Sequence, residues 1–289
     1  MSSKLIGSIL ALLAAACCGW MLEPAMAQDP PTRAISPIAG DLYRFQNNNH
    51  FSVFLVTDDG VMVTDPISAD AAAWLEAEIE KRFAKPVRYL IYSHDHADHI
   101  AGGEVFADTA TVIAHDNAKK HIVEENRPTA VPDLTFSDSL TVTLGGKTVE
   151  LSYLGRNHGD NLIVMYFSAE RALFAVDIVA VNRLAFQDFP NAYIEDWIES
   201  LKAVEAIDFD ILVPGHGALG TKADLVAHRR YIEELRAEVL SLMRQNKTLD
   251  EIKAQVTMPA YKEWGRYDEW LSMNIDGMYR HLSLYRRGN

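Results

Sequence analysis

Residues Tyr92 to Gly103 read YSHDHADHIAGG, and positions 94–99 carry five ionisable side chains out of six. They follow VRYLI (87–91), a run suited to burial, so three imidazoles and two carboxylates sit at the end of an apolar strand. Residues two apart on a strand point the same way, which lets His94 and His96 face one point in space. Asp98 and His99 follow as the chain turns into a helix, where adjacent side chains diverge toward a second point. Imidazole and carboxylate are the usual ligands of zinc or iron where no thiolate is present. A solvated polar loop would explain a bare H-x-H pair. H-x-H-x-D-H directly behind a buried strand favours a held cation.

The first 27 residues read as a segment apart from the fold. Lys4 gives a positive start, Leu5 to Cys18 is apolar, and Ala25-Met26-Ala27 forms a small-x-small cleavage signal before Gln28. The apolar run falls short of the ~20 residues of a bilayer span, which favours an export signal over an anchor. A lipoprotein signal through Ala14–Cys17 is the weaker alternative. The expected plan is a signal peptide at 1–27 and a linker at 28–39, whose QDPPTRAISPI is polar and proline-rich. A main domain at 40–235 and a C-terminal helical extension of it at 236–289 complete the plan.

Both cysteines, Cys17 and Cys18, fall in the signal segment. The exported domain then has neither a disulfide nor a thiolate to act as nucleophile or ligand. Cleavage also removes Lys4 and Glu23 and leaves the net charge at −13. Such a surface repels nucleic acid, and no basic stripe counters it. No remaining run is long and apolar enough to span a membrane, so the expected partner is a small-molecule substrate.

Strand signals alternate with helical ones. LYRFQ, FSVFLVTDDG and VMVTDP read as strands with a turn at Asp58-Asp59-Gly60, and Ala71–Phe83 is helical in period. TVIAH, a hairpin around Gly145-Gly146, NLIVMYFS, ALFAVD and DILVPGHG read as further strands. Trp197–Ala206 and Lys222–Asn246 read as helices. Hairpins in both halves suit an α/β (α+β) arrangement of two mixed sheets with helices outside, better than one doubly wound sheet.

HDHADH at 94–99 resembles the signature of the metallo-β-lactamase superfamily. VMVTDP at 61–66, GRNHGDN at 155–161, ALFAVDI at 172–178 and VPGHG at 213–217 are similar, in the same order, to that family's later motifs. The resemblance covers roughly residues 40–235. It implies a four-layer αββα sandwich with a dinuclear metal centre and, position by position, the residues that hold it. His94, His96 and His158 would hold the first metal. Asp98, His99 and His216 would hold the second, and Asp177 would bridge them. The implied cofactor is two Zn2+ per chain, with iron or manganese as alternatives. Asp65 is a candidate to orient a ligand histidine, and Asp98 a candidate proton relay as well as ligand. Arg183 and Tyr193 are candidate substrate residues, and FQDFPNAY (186–193) an expected pocket wall. His50, His115, His121, His228 and His281 lack such context and read as structural, His228 on a solvated helix face beside Arg229 and Arg230.

The implied activity is hydrolysis by a metal-bridging hydroxide, on a small ester, lactone, lactam or thioester, by an exported and most simply periplasmic enzyme. No G-x-S-x-G or P-loop competes. The cysteine-ligated β-lactamases are excluded for want of a thiol, and Ile178 departs from the polar residue expected in the histidine-rich ones. Promiscuous β-lactam hydrolysis, an iron-dependent redox enzyme of the same fold, and a non-catalytic accessory protein are the alternatives.

Overall fold

Short runs of alternating or fully apolar residues, broken by two-residue turns, build the first half as a meander. The structure, a computed structural model, describes residues 30–286, so the expected signal peptide and both cysteines lie outside the described residues. β1 (Arg33–Ala39), β2 (Leu42–Asn47), β3 (His50–Thr57) and β4 (Gly60–Thr64) pair antiparallel in order. Thr57 pairs with Gly60 across Asp58-Asp59, the turn expected there. Crossovers then add β5 (Val87–Ile91), β6 (Thr111–His115) and β7 (Leu134–Phe136) in parallel, completing a seven-stranded mixed sheet.

A second sheet runs in the order β12-β11-β10-β9-β8. β8 (Ser139–Leu144), β9 (Lys147–Ser152), β10 (Val164–Phe167) and β11 (Ala172–Phe174) are antiparallel, and β12 (Ile211–Val213) joins β11 in parallel. Three apolar clusters define four layers. Leu55, Met62 and Ile91 meet Leu151, Met165 and Phe174 between the sheets. Val63, Leu90 and Val112 pack under α1 (Ala69–Phe83) and α3 (Asp116–Glu124), with the one-turn α2 (Ala97–Ile100) between them in the chain. Leu173 and Leu212 pack under α4 (Ile194–Glu205), α5 (Lys222–Arg244) and α7 (Tyr267–Arg286). The αββα sandwich expected from the sequence is the observed one.

Two expectations about boundaries are corrected. Residues 33–39, expected within the linker, form β1. Proline is tolerated there because β1 is an edge strand, and its pairing slips between Pro37 and Ala39. The boundary expected at 235/236 falls inside α5, because Leu235, Val239 and Met243 continue its buried stripe without a break. α6 (Leu249–Gln255) and α7 then close over the same core. Among the described residues no helix is long and apolar enough to cross a membrane.

Between β4 and α1 the backbone is strained: Asp65 has φ 31° and Ile67 φ 72°. β-branched residues rarely adopt positive φ, and such positions cost on the order of 1–3 kcal/mol each unless their surroundings hold them. Here Ile67 N–H donates to the His99 carbonyl at 2.8 Å, and Asp65 accepts from Ser93. The strained loop is thereby tied to the histidine segment.

Candidate metal centre

The histidine segment leaves β5 at one edge of the sandwich, where β4 also ends and β3 begins. Backbone bonds draw the second sheet to the same edge: Ile163 N–H donates to the Ser93 carbonyl (2.9 Å) and Phe51 N–H to the Gly215 carbonyl (2.8 Å). Gly215 sits where nothing larger fits, since a Cβ there would lie 2.5 Å from Val176 Cγ1 and 2.9 Å from His99 Cε1. Loops from four sequence regions therefore deliver side chains to one point.

Asp177 stands at the centre. Its Oδ2 lies 3.2 Å from His99 Nε2, and 3.6 Å from both His94 Nε2 and His158 Nε2, while Oδ1 lies 3.4 Å from His216 Nε2. His96 Nδ1 approaches His158 Nε2 at 3.3 Å. His94, His96, His158 and Asp177 each offer one atom within 4.8 Å of the others, and so do His99, His216 and Asp177. Asp98 Oδ2 is 3.6 Å from His99 Nε2 and 3.5 Å from His216 Nε2. The second acid of the motif goes elsewhere: Asp95 accepts from Asn161 Nδ2 at 2.9 Å and pairs with Arg127 at 2.9 Å.

These residues fit a metal by a test internal to the protein. His94 Nε2 and His99 Nε2 are buried without a hydrogen-bond partner, which is costly unless something else binds them. Their orientation is set from behind. Ser93 Oγ bridges Asp65 Oδ2 (2.6 Å) and His94 Nδ1 (2.9 Å), Asp65 Oδ2 lies 3.3 Å from His99 Nδ1, and His216 Nδ1–H donates to the Asn49 carbonyl at 3.1 Å. Such outer partners fix which nitrogen faces a metal.

Electrostatics follow the same geometry. Burial, reinforced by the surrounding imidazoles, holds His94 well below the usual histidine range, and burial pushes His158 down to about 4. Burial alone would lower His99 too, but the Asp177 and Asp65 carboxylates raise it well above. Burial works against the charge of Asp177 and Asp98, yet the neighbouring imidazoles keep both ionised far into acid. His94 and His158 thus present neutral nitrogens toward ionised carboxylates, as a divalent cation requires, and a cation at His99 would take the place of its proton.

His50, read from the sequence as structural, is the residue that reading missed. Its Nε2 lies 3.4 Å from Asp98 Oδ2, and its ring centroid 4.8 Å from that of His216. A lone histidine after NNN gives no ligand spacing. The available signal was its place as first residue of a strand antiparallel to β4, which puts it at the edge where β4 and β5 end. Because it braces Asp98, His50→Ala should weaken a cation held by Asp98, His99 and His216 by ~10–100-fold while leaving one held by His94, His96 and His158 in place. Competition with a chromogenic chelator reads this, and unchanged affinity for both would contradict it.

A family model described as the metallo-beta-lactamase superfamily matches residues 47–216. The chain belongs to the metallo-β-lactamase superfamily. Among its relatives, 2,4-dinitroanisole O-demethylase subunit alpha of Nocardioides sp. (strain JS1661) is 26% identical over 93% of this chain and 83% of its own length. The metallo-beta-lactamase type 2 of Elizabethkingia meningoseptica is 26% identical over 63% of this chain and 76% of its own. The solved metallo-beta-lactamase from Pontibacter korlensis shares the fold with a TM-score of 0.63 at 19% identity, covering 70% of this chain and 99% of that one.

Beside the His/Asp cluster of this metallo-β-lactamase fold opens a cavity of about 400 Å³. His50, His96, Asp98 and His216 line it, and so do Arg183, Phe186, Trp197, His228 and Trp270. Phe186 and Pro190 come from the expected wall segment, and Phe189 is buried behind it. Tyr193 is absent from that lining. It faces a neighbouring polar recess with Asp95, His121 and Asp160, under the Arg156 guanidinium at 4.4 Å. His115 and His121 bond to Ser137 O and Asp160 Oδ1, each at 2.9 Å, as structural histidines do.

His228 corrects the sequence reading: it is 1% exposed, not solvated. Leu225, His228, Ile232 and Leu235 form the buried stripe of α5, with Arg229 and Arg230 turned off it. Burial, with the Arg183 charge, pushes its imidazole down to about 3. An unfolded histidine takes a proton near 6.5, so between about 3 and 6.5 the unfolded chain binds more protons than the folded one. Stability from this group is complete above 6.5 and is lost as pH falls through that window. His228→Gln should flatten the acid side of a plot of urea midpoint against pH. A slope identical to wild type would assign that acid sensitivity elsewhere.

Proposed function

We propose that this protein is an exported, periplasmic hydrolase using two divalent cations, zinc in the simplest case, on a small, partly apolar ester, lactone, lactam or thioester. The observation that supports this most is Asp177 among four imidazoles, with the Nε2 atoms of His94 and His99 buried and without a hydrogen-bond partner. Cations bound there would acidify a water to a pKa near 7 and polarise the bond under attack. His94, His96 and His158 would hold one, and Asp98, His99 and His216 the other, with Asp177 between. Asp98, ionised and with a side chain 47% exposed, is placed to accept the proton of the attacking water. Phe186, Trp197 and Trp270 would cover the apolar part of the substrate and exclude solvent.

A second reading is hydrolytic displacement at an activated aryl ether. The match to the demethylase subunit over 93% of this chain favours it. Water oxygen would bond the ring carbon, the bond to the alkoxide would break, and the alkoxide would leave protonated as an alcohol. No oxidant is needed. Both readings are tested with zinc-loaded protein on aryl ester, lactone, lactam, thioester and dinitroaryl methyl ether reporters. Turnover that chelation removes and His96→Ala abolishes is expected on at least one; none on any would overturn both.

A further inference from the structure

Apart from the His/Asp cluster the cavity lining is mostly apolar, yet it holds two polar side chains with buried nitrogens that have no hydrogen-bond partner. His228 is 1% exposed and neither ring nitrogen has a hydrogen-bond partner. Arg183 also lines the cavity, its Nε is buried and unpartnered, and no ion pair forms to it among the described residues. Buried donors are left open at a cost, so such a pair points to a group that arrives from outside. Both are held in place. Leu184 N–H donates to the Gly265 carbonyl at 3.1 Å and Gly265 N–H to the Asn182 carbonyl at 2.9 Å, which fixes the backbone on either side of Arg183. The guanidinium lies 5.5 Å from the Trp270 ring centroid, and His228 lies 6.1 Å from that of Trp197.

The chemistry of the pair is specific. Arg183 offers a planar fork of donors that matches two oxygens on one atom. A neutral His228 adds one N–H. Trp270, edge-on to Phe186 at 5.3 Å, offers an aromatic wall. His228 and Trp270 lie beyond residue 216, where the family match ends, while Arg183 and Phe186 lie within it.

We propose that Arg183, His228 and Trp270 form an anchor for an aromatic substrate whose ring carries a planar two-oxygen acceptor, a carboxylate or a nitro group. The anchor deepens the hydrolase reading, on which the fate of the bound molecule rests, by naming its substrate class. The acceptor sits on Arg183 and His228, the ring lies against Trp270 and Phe186, and the rest of the substrate extends toward Asp98 and Asp177.

Calorimetric titration of zinc-loaded protein with benzoate, nitrobenzene and toluene tests this without requiring turnover. Wild type is expected to bind one or both of the acceptor-bearing ligands at least ~10-fold more tightly than toluene, and the tighter of the two identifies the group. Arg183→Leu and His228→Leu should each remove most of that preference, whereas His228→Gln, which keeps a donor, should retain part of it. Thermal unfolding of each variant verifies that it is folded. Benzoate held by the metals alone would keep its affinity in every variant. That outcome, or no preference over toluene in wild type, would overturn the anchor. Selective binding with no turnover on any reporter would instead leave the anchor standing and reject the hydrolase reading.

Discussion

Asp177→Asn is expected to reduce bound metal from two cations per chain to one or none, and to lower kcat/KM on any accepted reporter by on the order of 10³ or more, equivalent to ~4 kcal/mol of transition-state stabilisation. The carboxylate lies within 3.6 Å of ring nitrogens from four histidines, His94, His99, His158 and His216. Asparagine keeps its size but removes the charge, and turns an amide N–H toward nitrogens that face a metal. Those imidazoles hold the native carboxyl ionised far into acid, so the loss persists at every working pH. Metal analysis of the purified variant, alongside steady-state rates, decides it. Two cations per chain in Asp177→Asn would contradict the bridging position.

Asp65→Ala should have the second largest effect, and on stability as well as metal affinity. Asp65 is fully buried, accepts from Ser93 N–H (2.7 Å) and Oγ–H (2.6 Å), and lies 3.3 Å from His99 Nδ1. Alanine leaves a buried N–H, a hydroxyl and an imidazole without their acceptor and releases the strained loop at φ 31°. Losing one member of such a buried set costs ~3–5 kcal/mol, and losing the outer partner of a ligand costs ~10–100-fold in metal affinity. Asp65→Asn keeps an acceptor for Ser93 and so should recover part of the stability but little of the affinity. Urea unfolding with and without metal separates the two, and an Asp65→Ala protein as stable as wild type would show that the loop is held by other contacts.

The sequence made the cluster legible because its chemistry is dense and ordered. HDHADH, GRNHGDN, ALFAVDI and VPGHG each end or follow an apolar strand. The strand period expected to aim His94 and His96 together does not reach them, because β5 ends at Ile91 and residues 93–95 bend, so the loop itself brings them together. Residues whose role depends on distant strands left no such trace. His50 is a single imidazole whose partner, Asp98, is 48 positions away, and only the pairing of β3 with β4 brings them to one edge. His228 was hidden by its neighbours: Arg229 and Arg230 suggest solvent, although the spacing from Leu225 to Ile232 already placed residue 228 on the apolar stripe. Pro37 disguised β1 as linker because proline is compatible with an edge strand as well as with a loop. Arg183 and Tyr193, six residues and sixteen residues past Asp177, could not be ranked from sequence, since the loop between them folds Arg183 into the cavity and Tyr193 toward the polar recess.

Anomalous diffraction at the zinc edge from crystals of the zinc-loaded protein tests the metal centre most directly. Two peaks about 3.5–4 Å apart are expected, one bounded by His94, His96 and His158, the other by Asp98, His99 and His216, with Asp177 reaching both. A single peak, or zinc held away from Asp177, would contradict a dinuclear centre at this edge of the sandwich.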